Sequence, residues 1–168
     1  METLSKWIDK ILSNFLIVLM AVMVLDVSWQ VFTRFVLRDA SSYTEELANF
    51  LLIWIGVLGA SYALRTKAHL GIDVLTYKLR GVRKQVVEIV IYSFVILFAL
   101  FIMVIGGLKL VQLTFTLNQT SPALGIKMGY VYLVLPISGI LIIYYSIGFI
   151  IKAIRGEFEV GHTEVEAI

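Results

Sequence analysis

Residues 89–108 read IVIYSFVILFALFIMVIGGL, an apolar run without a single charged side chain. Wound as an α-helix at about 1.5 Å per residue, such a run matches the ~30 Å hydrocarbon core of a bilayer. Outward from it lie three comparable stretches: residues 11–33, broken only by Asp26, residues 47–64, and residues 128–151. Each approaches or exceeds the roughly 18 to 20 residues that a membrane-crossing helix needs. The whole chain of 168 residues is 60% hydrophobic and 15% charged, which leaves too little polar surface to cover a soluble globule. A barrel would show alternating segments of about ten residues, and an open sheet leaves backbone groups unsatisfied in lipid. The reading is therefore an all-α membrane protein with four transmembrane helices, over about residues 11–36, 44–64, 86–113 and 128–152. They form one domain over residues 1–155.

The first run is too long for the apolar part of a secretory signal and lacks a small-residue cleavage site, so it reads as a retained helix. Zero cysteines exclude disulfides and thiolate metal sites. The basic residues divide unevenly. Lys6 and Lys10, then Arg65, Lys67, Lys78, Arg80, Arg83 and Lys84, then Lys152 and Arg155 fall on one side; Arg34, Arg38, Lys109 and Lys127 fall on the other. By the positive-inside rule both termini are cytoplasmic. Ile72, Leu75, Leu79 and Val82 recur at helical spacing among the basic residues of the second connection, which reads as a short amphipathic helix on the membrane lipids or as a solvated basic loop. Residues 156–168, carrying Glu157, Glu159, Glu164 and Glu166, read as a disordered acidic tail. No internal repeat appears, which weakens any case for independent transport.

Among the polar residues, Asp26 stands out, since an acid deep in a bilayer costs roughly 2.5 to 3.5 kcal/mol on insertion scales. Gln30 and Arg34 follow at i+4 and i+8 and form a polar stripe with it, and Lys109 is a candidate ion-pair partner at similar depth. Two readings stand: a proton or substrate site, or an internal ion pair. Ser42 and Glu45 fit a capping box at the start of the second helix. Glu46 points elsewhere on that helix and is free to meet a partner, Arg34 or Arg38, or water. Gly56 with Ala60 and Gly59 with Ala63 are small pairs that let another backbone approach. Trp54 lies too deep for headgroup anchoring and is expected to pack against a partner helix, while Pro136 should bend the fourth helix near its start. His69 and Asp73 share i, i+4 spacing, but two ligands make no metal site. A haem bundle wants intramembrane histidines, and His69 and His162 lie outside the helices. No cofactor and no nucleic-acid partner is called for, and no catalytic constellation appears.

These residues form an ordered series: Arg34, Thr44-Glu45-Glu46-Leu47, Trp54, Gly59, Tyr62-Ala63-Leu64-Arg65, His69, then Ser121-Pro122-Ala123-Leu124-Gly125, Tyr132 and Pro136. The series resembles the small membrane (DctQ-like, Q) subunit of tripartite ATP-independent periplasmic (TRAP) transporters, in register from Arg34 to Pro136. Lys127 departs from the pattern, where a small residue or proline is expected. The resemblance implies an inner-membrane, non-enzymatic subunit with two partners: a large membrane subunit that moves an organic acid with sodium, and a periplasmic substrate-binding protein that delivers it. The small subunit then supports and stabilises the large one, and Glu45, Glu46, Trp54, Arg65 and His69 have interface or packing roles. The competing reading is a self-sufficient four-helix proton-coupled exporter that uses Asp26.

Overall fold

The computed structural model describes residues 2–37, 42–66 and 82–155. Helix α1 (Glu2–Phe32) runs on into a π-helical turn (Thr33–Leu37), and α2 (Ser42–Arg65) follows. Next come α3 (Val82–Phe98), a π-helical stretch (Ala99–Gly106) and α4 (Gly107–Thr116), joined end to end, then α5 (Met128–Tyr132) and α6 (Val134–Arg155). Four of the resulting rods are long and apolar enough to cross a membrane: Ser5–Leu37, Ser42–Arg65, Gln85–Thr116 and Met128–Ile154. They are the four expected helices, because in lipid a helix is the local way to satisfy every backbone group. The described residues contain no strand, only an isolated bridge between Thr120 and Lys127. Most of the expected interfacial helix, His69 and the acidic tail lie outside the described residues, and Val82, expected in that helix, instead opens α3.

The fourth span is the hub. It packs against α2, α3, the π-helical stretch and α4, whereas among the described residues α1 lies backbone to backbone with α2 alone and meets α6 only through the side chains of Asp9 and Tyr145. In the most apolar window of each span, 44% of the fourth is buried inside the protein and 6% of the first, so the first is an outrigger rather than a full member of the bundle. The third and fourth spans meet at glycine. A Cβ added at Gly139 would stand 2.9 Å from both Met103 Cβ and Val104 Cγ2, and one at Gly107 would stand 3.0 Å from Pro136 Cδ. Where hydrocarbon surrounds the helices, such close approach provides the dispersion contact that solvent exclusion provides in water. Ser138, wholly buried, crosses to the second span and donates to the Val57 carbonyl at 2.8 Å.

Pro136 does not interrupt the helix at its own position. The fourth span is split at Leu133 into α5 and α6, which leaves Pro136 in the first turn of α6, where its missing N–H breaks no helical bond. The small pairs of the second span do not behave as expected. Added Cβ atoms at Gly56 and Gly59 would meet nothing within 4 Å, so no backbone of the described residues closes on them. Gly56 and Ala60 instead floor an open apolar groove walled by Val95, Phe98 and Ile142.

The first span meets the second along a regular seam. Its residues that are not exposed include Asp9, Leu12, Leu16, Leu19, Met23, Asp26, Gln30 and Thr33, spaced alternately three and four apart. This is the 3.5-residue repeat of two helices supercoiling on one another. Phe15 sits beside the seam, edge-on to Trp54 with ring centroids 6.2 Å apart.

Candidate functional site

Polar side chains gather at three levels of the bundle. At the end where the chain begins, Asp9 is held by two other spans. Arg65 Nε donates to its Oδ2 at 3.0 Å, and the Tyr145 hydroxyl donates to its Oδ1 at 2.8 Å. The Asp9 and Arg65 side chains are 22% and 30% exposed and Tyr145 is 3% exposed, so the cluster straddles the rim of the core. One carboxylate thus ties the first, second and fourth spans together. Asp9 carried no signal of its own, because between Lys6 and Lys10 it reads as one more terminal charge.

At the opposite end Glu46 occupies the turn between the third and fourth spans. Its carboxylate accepts from the Ser121 hydroxyl and from the backbone N–H groups of Ala123 and Leu124, each N–H at 3.1 Å. The turn closes on itself as well. Ser121 N–H donates to the Ile126 carbonyl at 2.8 Å, Gly125 N–H to the Ser121 carbonyl at 3.0 Å, and Leu124 N–H also to Ser121 Oγ at 3.2 Å. Gly125 takes φ +64°, the left-handed region that glycine enters without strain. Backbone amides converging on one point make a receptor for an anion, and here the anion is a side chain of the second span. Glu46 is therefore engaged within its own chain rather than with Arg34, which is exposed. Glu45 is exposed on the neighbouring face.

Between these two ends lies Asp26, which is half-buried on the seam. Its Oδ2 is shielded from solvent and has no hydrogen-bond partner. The expected partner Lys109 is exposed on a span whose described backbone does not approach the first, and Asp26 Oδ2 receives no bond from it. The expected stripe also divides. Gln30 shares the seam with Asp26, but the three-four spacing then selects Thr33, which is 5% exposed, and turns Arg34 outward. Thr33 satisfies its hydroxyl on the Gln30 carbonyl at 3.0 Å.

No group of three or more His, Asp or Glu side chains able to hold a metal occurs among the described residues. What the geometry provides is mechanical: carboxylates that fasten spans and a loop to one another. The family model that matches the chain is "Tripartite ATP-independent periplasmic transporters, DctQ component", over residues 23–156. The chain belongs to the DctQ family. Among its relatives is a putative TRAP transporter small permease protein of Haemophilus influenzae, 29% identical over 142 residues, which are 84% of this chain and 86% of the relative. The C4-dicarboxylate TRAP transporter small permease protein DctQ of Rhodobacter capsulatus is 30% identical over 102 residues, 61% of this chain and 44% of that one. The isethionate TRAP transporter permease protein DctMQ of Oleidesulfovibrio alaskensis is 33% identical over 99 residues, 59% of this chain but 15% of that much longer polypeptide. In this DctQ-family chain the matched region takes in the second, third and fourth spans, Glu46 with its turn, and Asp26, but not Asp9.

Proposed function

We infer that the protein is the small membrane subunit of a TRAP-type secondary transporter. It supports and stabilises a large transport subunit during sodium-coupled uptake of an organic acid that a periplasmic binding protein delivers. The observation that carries this reading is the DctQ match across residues 23–156. The relative in which the matching stretch is 15% of a longer permease chain supports a working unit larger than four helices. Isethionate and C4-dicarboxylate in the relatives' names support a small organic anion as cargo. The internal fastening fits the same role, since a support has to resist deformation. Glu46, Trp54 and Arg65 hold the chain's own parts in place, and Glu45 and His69 are assigned to contact with the large subunit. The distribution of basic residues supports an inner-membrane location with both termini in the cytoplasm.

The test is reconstitution. Vesicles holding this chain and the large subunit, with binding protein and a sodium gradient, should accumulate the anion, and vesicles lacking either membrane subunit should not. Accumulation driven by the large subunit alone would contradict a supporting role. The unpartnered Asp26 favours the exporter as the one competing reading. That reading requires this chain alone to move cations in a pH gradient and to lose the activity on Asp26→Asn.

A further inference from the structure

The seam between the first and second spans carries two acids, and the protein treats them differently. At Asp9 a third helix reaches the seam, and both carboxylate oxygens are taken, one by the Arg65 cation and one by the Tyr145 hydroxyl of α6. At Asp26, 17 residues and about 26 Å further along the helix, the second span is the only other described helix present, and Oδ2 is covered yet unbonded. An acid at a helix interface in lipid faces a partner, because no water pairs with it there. Such acids pair with cations, and the cation of this chain expected there, Lys109, is exposed on a span whose described backbone does not approach the first.

We propose that a transmembrane helix of the large membrane subunit packs along the first and second spans at the level of Asp26 and donates a cationic side chain to it. The arrangement repeats there what Arg65 and α6 do for Asp9. This rests on the reading of the chain as a small TRAP subunit. It explains why the first span stays an outrigger: its free flanks at Asp26, Val27 at 36% and Trp29 at 50% exposure, are where the missing helix lies. It also pairs a second polar position on the seam, and a polar position among apolar ones fixes register between helices.

The test uses the two membrane subunits expressed together, with the small one tagged. The wild-type chain should retain the large subunit through purification. Asp26→Leu and Asp26→Asn should retain at least about tenfold less, since removing one member of a buried charge pair strands the other, while keeping the wild-type circular dichroism and elution volume on their own. A photo-crosslinking phenylalanine analogue in place of Val27 or Trp29 should capture the large subunit, and the same analogue in place of Ile147, exposed on α6, should not. Restored retention on pairing Asp26→Lys with an acid at one basic position of the large subunit would identify the donor. Wild-type retention by both Asp26 variants, or crosslinks that join two copies of this chain, would overturn the proposal and leave the small-subunit reading standing. Failure of the wild-type chain itself to retain the large subunit would overturn both.

Discussion

Replacing Tyr145 with phenylalanine should have opposite effects in two backgrounds. In the wild-type chain the hydroxyl donates to Asp9 Oδ1 at 2.8 Å from a site 3% exposed. A hydrogen bond to a charged group contributes about 1.5 to 3 kcal/mol in water-soluble proteins, whereas interhelical bonds in membrane proteins average nearer ~0.6 kcal/mol with a ceiling of ~1.7 kcal/mol. Asp9 is charged but partly wetted, so the upper part of the membrane range applies, and Tyr145→Phe should cost about 1 to 1.7 kcal/mol. Asp9→Leu removes the acceptor of both Arg65 and Tyr145. Arg65, 30% exposed, can turn to water, but the tyrosine hydroxyl is left enclosed without a partner. Removing that hydroxyl in the Asp9→Leu background should then stabilise the fold by about 1 kcal/mol, the penalty of an enclosed unpaired donor. The assay is SDS-driven unfolding in mixed micelles, followed by circular dichroism, on the wild type, both single variants and the double. Equal effects of Tyr145→Phe in the two backgrounds would show that Asp9 does not hold the hydroxyl, and the three-span tie would be refuted.

Gly139→Ala should destabilise the fold by about 1 kcal/mol or more, because its new methyl meets atoms at 2.9 Å and overpacking costs typically 1 to 3 kcal/mol. Gly148→Ala in the same helix, with open space around it, should instead gain about 0.5 to 1 kcal/mol in the same unfolding assay. Glu46→Ala should leave helix content unchanged while the amides of Ala123 and Leu124 lose protection in hydrogen exchange mass spectrometry. Unchanged protection would mean that the turn needs no anion. Because the chain has no cysteine, single cysteines at Lys127 and Lys6 should react with an impermeant maleimide from opposite faces of the membrane. Labelling of both from one side would contradict the four-span topology.

The spans were legible because hydrocarbon thickness sets a length that apolar runs either reach or miss, and all four did. Their ends were less so. Lys6, Asp9 and Lys10 look like a polar flank, yet they belong to α1, where Asp9 pairs with Arg65 and the two lysines stay exposed. Glu46 was visibly turned away from the capping position, but its acceptor role depends on Ser121, 75 residues later, and no local pattern carries that separation. Steps of four from Asp26 lead to Arg34, whereas two supercoiled helices repeat every 3.5 residues, and that difference selects Thr33 instead. Depth alone pairs Lys109 with Asp26, and equal depth does not make two spans neighbours. The small pairs of the second span signal close approach, yet among the described residues the close approach is made at Gly107 and Gly139 of the third and fourth spans.

The eight π-helical residues from Ala99 to Gly106 set the third span's phase. Each of their bonds reaches one residue further than in an α-helix, so the rod is slightly underwound there and the two α-helical halves are rotated relative to each other. The stretch itself aims Ala99 and Met103 at Gly139, and the α-helical half beyond it aims Gly107 at Pro136. Deleting one residue from this stretch would leave an unbroken helix of nearly the same length but swing everything beyond it by roughly a quarter turn. Gly107 would leave its seat, and Lys109 would swing to another side of the rod. A length-preserving helix would then be a misaligned one, so the stretch works as a vernier whose setting the rest of the span inherits.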